Sequence, residues 1–222
     1  MKRITCVYTG FGGLSDVVEK TFSAACGDVC FHHIADSGLI GDILAEGGVT
    51  PLLEKRLFAL FDAAATTQPD IIVSTCSSIG ETTRKYAAMH PELRMMSIDE
   101  PMARYAAMYG KKVAVLATLA TTVEPSARLV SSFCAEAGRN IPVVSAVAEG
   151  AFDAMRSGDM PRATELVIQT AKNACAGADI ILLAQASMAN FRQALQQTLG
   201  DGVTLLESPA TCAEYLKKEL GC

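Results

Sequence analysis

Cys76 lies in the run Thr75-Cys76-Ser77-Ser78, behind the apolar stretch Ile71–Ser74 and ahead of a helical pattern. A thiol at such a junction can work as an acid or a base, because its pKa lies near working pH and both protonation states are accessible. A helix start favours the thiolate, and the Ser77 and Ser78 hydroxyls together with free N–H groups of a first helical turn suit a carboxylate. The same string returns as Ala184-Gln185-Ala186-Ser187 behind Ile180–Leu183, so Gln185 stands where the first copy has Cys76, 109 positions on. An amide can donate and accept hydrogen bonds but cannot carry a proton to or from carbon. Two more loops bear hydroxyls or glycines: Tyr8-Thr9-Gly10-Phe11-Gly12-Gly13-Leu14-Ser15 and Thr118-Leu119-Ala120-Thr121-Thr122. The glycines let backbone approach an anion closely, and Ser15 and Asp16 suit a helix start.

Each feature also has a plain structural counterpart. An isolated cysteine is commonly a small buried hydrophobe, a glycine-rich loop a tight turn, and a Thr-rich segment a helix cap. Met188 and Phe191, beside Gln185, suit ordinary helix packing as well as an apolar side-chain pocket. Glu81 suits the first turn of a helix.

The elements that must carry these loops alternate along the chain. Short apolar runs, Ile4–Tyr8, Val29–Ile34, Ile71–Thr75, Met95–Ile98, Val113–Leu116, Ile141–Val147, Ile180–Leu183 and Val203–Leu206, read as strands covered on both faces. Between them Pro101, Pro125, Pro161 and Pro209 mark first helical turns, while Gly110, Gly138, Gly177 and Gly221 mark helix stops. This alternation predicts α/β architecture with parallel sheets.

The repeat extends beyond the two strings. Ile4–Gly13 aligns with Val113–Thr122, placing Thr9 on Thr118, and Ile98-Asp99-Glu100-Pro101 is similar to Leu206-Glu207-Ser208-Pro209. Each half reads as a four-stranded parallel sheet flanked by helices, giving two pseudo-symmetric lobes with equivalent strand ends across a cleft. By the symmetry, the helix after Pro209 packs on the first lobe. The expected division is residues 1–98 with 206–222 for one lobe and 99–205 for the other.

Composition narrows the functional classes. Half of the 222 residues are hydrophobic, enough for one large or two small cores. The net charge of −5 and the lack of a basic cluster argue against nucleic acid. Eight irregularly spaced cysteines and three histidines suggest neither a disulfide framework nor a metal site. No Walker or Rossmann pattern is present, so no nucleotide is expected. The first residues lack the apolar core of a signal peptide, and no run has the length of a membrane span, which predicts a cytoplasmic protein without membrane contact.

Tyr8-Thr9-Gly10-Phe11-Gly12-Gly13-Leu14 resembles the opening Asp-Ser-Gly-Val-Gly-Gly-Leu signature of aspartate/glutamate racemases. Thr75-Cys76-Ser77-Ser78 resembles their Ala-Cys-Asn-Thr motif, and Val115-Leu116-Ala117-Thr118-Leu119-Ala120-Thr121 their Val-Leu-Ala-Thr-x-Gly-Thr segment. The resemblance, to the wider aspartate/glutamate/hydantoin racemase superfamily, spans nearly the whole chain. It implies a cofactor-independent enzyme, commonly a homo-oligomer, in which two cysteines flank the α-carbon of a small carboxylate or amino-acid substrate. One acts as thiolate base and the other as thiol acid, while hydroxyls and amides hold the carboxylate and the developing enolate charge.

Three residues depart from that pattern. Tyr8 replaces the opening acid, Gln185 replaces the second cysteine, and Ala186 replaces the hydroxyl after it. The expected site comprises Cys76 and Gln185 at the reacting centre, with Tyr8, Thr9, Gly10, Ser77, Ser78, Thr118, Thr121, Ala186 and Ser187 around the substrate and no metal. One thiol leaves three readings: cysteine-mediated proton transfer next to a carboxylate, a single-cysteine decarboxylase or isomerase of a small dicarboxylate, and a non-catalytic carboxylate-binding protein.

Overall fold

A computed structural model describes residues 1–10 and 13–222; Phe11 and Gly12 of the glycine-rich loop lie outside the described residues. The chain divides into two compact units, Met1–Glu100 with Pro209–Cys222, and Pro101–Ser208.

The first unit contains β1 (Lys2–Tyr8), α1 (Leu14–Cys26), β2 (Val29–Ala35), α2 (Leu39–Ala45), α3 (Pro51–Ala65), β3 (Ile71–Ser74), a 3-10 turn (Ser77–Ile79), α4 (Gly80–Met89) and β4 (Met95–Ser97). Its strands are all parallel, in the order β2-β1-β3-β4. Alternate residues face opposite cores. Ile4, Cys6, Ile71 and Val73 meet Val18 and Phe22 of α1 on one face, while Val7 and Ile72 meet Leu57 and Phe61 of α3 and Tyr86 of α4 on the other. Burial of each such large side chain contributes about 1.5–3 kcal/mol.

The second unit contains most of α5 (Glu100–Tyr109), then β5 (Val113–Ala117), α6 (Ala120–Glu136), β6 (Val143–Val147), α7 (Ala151–Arg156), α8 (Met160–Ala174) and β7 (Ile180–Leu183). A 3-10 segment (Ala186–Phe191), α9 (Arg192–Leu199) and β8 (Thr204–Glu207) complete it. Its parallel order is β6-β5-β7-β8. The last helix, α10 (Ser208–Leu220), brings Cys212, Ala213, Leu216 and Leu220 to the first unit's α1-side core. In the second unit Met102, Ala103 and Ala106 of α5 pack beneath Val113 and Val115.

The internal repeat is therefore a repeat of topology and of register. Ile4 pairs with Ile71 and Val113 with Ile180, the same separation of 67 residues in each unit. A duplicated aspartate starts both central pairings. The Asp70 carboxylate accepts the Arg3 N–H at 2.8 Å, and the Asp179 carboxylate accepts the Lys112 N–H at 2.7 Å.

Two sequence expectations change in detail, and one pair of alternatives is decided. The outer strands β2 and β6 are only partly covered, unlike the fully buried central strands β3, β5 and β7. Pro125 lies inside α6 and not in its first turn, since the helix begins five residues earlier at Ala120. Lacking an N–H, Pro125 leaves the Thr121 carbonyl without its bond in the helix ladder. Met188 and Phe191 are fully buried in the second unit's core, so they form packing and not an open side-chain pocket. The glycine stops include Gly138, whose φ of 65° ends α6 while the Arg139 N–H returns to the Cys134 carbonyl at 2.8 Å. At Gly110 a Cβ would lie 2.6 Å from the Ala106 carbonyl oxygen, so only glycine fits there.

Candidate active site

In each sheet the central pair, β1/β3 or β5/β7, is where the winding direction reverses, and open α/β folds bind ligands beyond the carboxyl ends of such strands. In the first unit that end presents Thr9, Gly10 and the Cys76 turn. Thr75 anchors the turn, since its N–H and its hydroxyl both donate to the Val7 carbonyl at 3.0 Å. The Ile79 N–H closes the 3-10 turn onto the Cys76 carbonyl at 3.2 Å.

Cys76 is half-buried. The Thr9 hydroxyl and the N–H and hydroxyl of Ser78 donate to its sulfur. Burial nevertheless pushes the thiol above its ordinary pKa, against those donors and assisted by the nearby Asp99 carboxylate. The thiolate expected from a helix start is thus not the favoured form. Cys76 heads only a three-residue 3-10 turn, and α4 does not begin until Gly80, so desolvation outweighs the helix-end field. All eight cysteines are free thiols.

Tyr8 is buried, and its hydroxyl turns to the α1 side of β1. There it bonds the Cys6 thiol and lies 3.1 Å from His33 Nδ1, while His33 Nε2 lies 3.1 Å from Glu19. Burial, then the neighbouring Cys6, pushes the phenol upward, so it stays neutral. The sequence motif puts Tyr8 at the substrate; its strand parity sends it instead to Cys6 and His33. Gly10 is half-buried, with room for a Cβ only 3.2 Å from Ile40. Ser77 and Ser78 are half-buried. Glu81 is exposed in the first turn of α4.

In the second unit Thr118 and Gln185 meet directly. The Thr118 N–H and hydroxyl both donate to Gln185 Oε1, at 2.6 and 2.8 Å. Donor counting has two consequences here. The backbone N–H demands an acceptor, so the carboxamide oxygen faces Thr118 and its NH2 faces away. The Thr118 hydroxyl proton is consumed, so Thr118 can accept a further hydrogen bond but cannot donate one to a carboxylate. Gln185 and Ala186 are half-buried, while Ser187 and Thr121 are exposed. Among the described residues no three His, Cys, Asp or Glu side chains are placed to share a metal ion, and no helix is long and apolar enough to cross a membrane.

Asp99, in sequence no more than a member of the internal repeat, joins the neighbourhood of Cys76. The β3–β4 register pairs Ile72 with Met95 and Ser74 with Ser97, and Cys76 and Asp99 each lie two residues beyond the last pair. No motif in the chain announces this, because strand register is a tertiary property.

Known proteins share this architecture. A glutamate racemase isoform from Bacillus anthracis superposes with a TM-score of 0.78 at 17% identity, over 99% of this chain and 82% of that one. A glutamate racemase from Thermus thermophilus gives 0.74 at 21% identity, over 99% and 80%. An aspartate racemase from Picrophilus torridus gives 0.69 at 13% identity, over 100% and 95%. At these identities the likeness is one of fold. No curated protein matches the sequence. The family model described as Asp/Glu/Hydantoin racemase matches residues 42–216. With the duplicated strand-end loops and the shared architecture, that match establishes that the chain belongs to the Asp/Glu/hydantoin racemase family.

Proposed function

We propose that this protein is a cofactor-independent enzyme in which Cys76 transfers a proton at the carbon next to a carboxylate of a small amino acid or related acid. The observation that carries the reading is the convergence on the Cys76 sulfur of the Thr9 hydroxyl and the Ser78 N–H and hydroxyl. Hydrogen bonds of this kind hold a thiol in place and stabilise the thiolate when it forms. In the forward step the thiolate takes the α-proton and the electron pair stays on carbon as an enolate. The return step delivers a proton from the thiol. With Gln185 unable to take part in proton transfer, the exchange proceeds at one face of the carbon. The glutamate and aspartate racemases of similar fold make amino-acid substrates the first to test.

A second reading is favoured by the upward displacement of the Cys76 thiol. A thiol that rests protonated is suited to proton delivery. In a decarboxylation the C–C bond of a malonate-type acid breaks, carbon dioxide leaves with the electron pair retained on the α-carbon, Cys76 protonates that carbon, and water restores the thiol.

The test is incubation in heavy water with a panel of amino acids, hydantoins and malonates, with deuterium at the α-carbon and release of carbon dioxide as readouts. Turnover that disappears in Cys76→Ala supports the enzyme. Saturable binding without turnover across the panel overturns it in favour of a carboxylate-binding protein.

A further inference from the structure

The segment that follows β2 folds back onto the end of β1, next to the strand that carries the Cys76 turn. The Asp36 N–H donates to the Tyr8 carbonyl at 3.1 Å, and the Ile40 N–H donates to the Thr9 carbonyl at 2.8 Å. Leu39 and Ile43 anchor α2 in the core cluster of Val7 and Ile79, against which Cys76 also packs. Arg56 of α3 holds the segment from outside, donating to Asp36 at 2.5 and 2.6 Å and to Asp42 at 2.5 Å. Ile40 lies one position round the helix from the inward pair Leu39 and Ile43 and is only half-buried. Its Cγ2 methyl lies 3.2 Å from the place a Cβ would take on Gly10.

Thr9 and Cys76 each follow two residues after Val7–Ser74, the last pair of β1 with β3. Ile40 therefore stands over the loop that leaves β1 beside the thiol. Its side chain is a branched hydrocarbon, and its N–H is already spent on Thr9. The charges on the same segment are two carboxylates against one guanidinium, and that guanidinium is engaged by both. A second carboxylate on a ligand would lose hydration here without gaining a cation. An apolar group in the same place gains by leaving water.

We propose that Ile40 is a specificity-determining residue: it forms an apolar wall beside Cys76 for the side chain of the substrate. It selects acids with an uncharged, apolar side chain over acids with a second carboxylate at the far end, such as aspartate and glutamate. The inference deepens the functional reading and rests on the carboxylate site lying at Cys76, but its readout needs no turnover.

The experiment is protection of Cys76 from alkylation by iodoacetamide, titrated with isocaproate and with glutarate. The Cys76 peptide is quantified by mass spectrometry, with the Cys30 peptide as control and the thermal midpoint recorded in parallel. The two probes share one carboxylate and differ at the far end, a branched apolar tail against a second carboxylate. Isocaproate is expected to half-protect Cys76 at a concentration about tenfold below that of glutarate, the discrimination usual for an apolar pocket. Ile40→Ala should weaken protection by isocaproate about tenfold and leave glutarate little changed, while Ile40→Lys, which supplies a cation, should reverse the preference. Equal protection by both probes, protection by neither, or an unchanged preference in the folded variants overturns the proposal. Failure of both variants to fold also overturns it, by making Ile40 a requirement of the fold and not of the ligand. Selective protection without turnover across the panel keeps this inference and sinks the catalytic reading. Turnover that is lost in Cys76→Ala, together with unselective protection, does the reverse.

Discussion

The carboxyl end of β3 and the carboxyl end of β7 are built on one plan and differ most in chemistry at the residue that heads the turn, Cys76 in one and Gln185 in the other. In both, a threonine at the end of the neighbouring central strand donates its hydroxyl to the residue heading a 3-10 segment: Thr9 to Cys76, and Thr118 to Gln185 at 2.8 Å. In both, the N–H three residues on closes onto that residue's carbonyl, from Ile79 at 3.2 Å and from Met188 at 2.9 Å. The scaffold has thus been kept while the chemistry has diverged. At Cys76 the threonine steadies an atom that can gain and lose a proton. At Gln185 the same threonine fixes the orientation of an amide, leaving a neutral donor. Only the first of the two head groups is able to exchange a proton.

The largest expected effect comes from deleting the one group that can titrate. Cys76→Ala should lower α-proton exchange by about 100-fold to 10,000-fold, the usual contribution of a positioned acid or base, measured by deuterium incorporation. A residual rate within a fewfold of wild type would erase the distinction between the two strand ends. The converse change, Gln185→Cys, restores a titratable group at the repeat-equivalent position. It is expected to convert one-face exchange into loss of optical activity, monitored by polarimetry on the substrate that exchanges. A folded variant that binds and exchanges but never racemises would show that the second strand end does not serve that substrate.

The duplicated aspartates should behave alike, because both cap the start of a central strand. Asp70→Ala and Asp179→Ala each remove a charged acceptor from backbone N–H groups and should each cost about 1–3 kcal/mol in urea unfolding. Backbone hydrogen bonding from Arg3 holds the Asp70 carboxyl below the usual range. For Asp179 burial acts in the opposite direction, and the Lys112 and Lys111 N–H groups outweigh it. A lowered folded-state pKa means that this stability is present above the unfolded value, about 3.9, and is lost as pH falls through the folded one. The two variants should therefore show a shallower loss of stability below about pH 4 than wild type.

The smallest effects separate the two threonines. Thr9→Val removes a donor to the sulfur, so the alkylation midpoint of Cys76 should rise by a few tenths of a pH unit, roughly a twofold change in rate. Thr118→Val should leave that midpoint unmoved while raising KM or Kd for the acceptor group that meets the freed amide, by roughly five- to tenfold for one lost hydrogen bond. Equal responses of both variants in both assays would mean that the two ends are not chemically distinct.

Much of this organisation was legible in the residues. The apolar runs, the proline and glycine punctuation and the 109-residue repeat carry the two parallel sheets, because a strand covered on both faces must be apolar throughout and each crossover needs a helix. The identity of the two head groups, one titratable and one not, is likewise a property of the chain itself. Direction and register are different matters. Tyr8 sits one residue from Thr9, yet its side chain turns to Cys6 and His33, because successive strand residues face opposite sides of the sheet. The orientation of the Gln185 amide depends on a backbone N–H 67 residues away. Asp99, like Cys76, follows two residues after the last pair of β3 with β4, a proximity that no local motif encodes. Desolvation of the thiol, which reverses the ionisation expected of a helix start, exists only once the surrounding chain has closed over it. Local sequence determined which groups could do chemistry, since composition and spacing are written in it. Tertiary structure decided which groups touch and which stay protonated, since both depend on neighbours brought together from far along the chain.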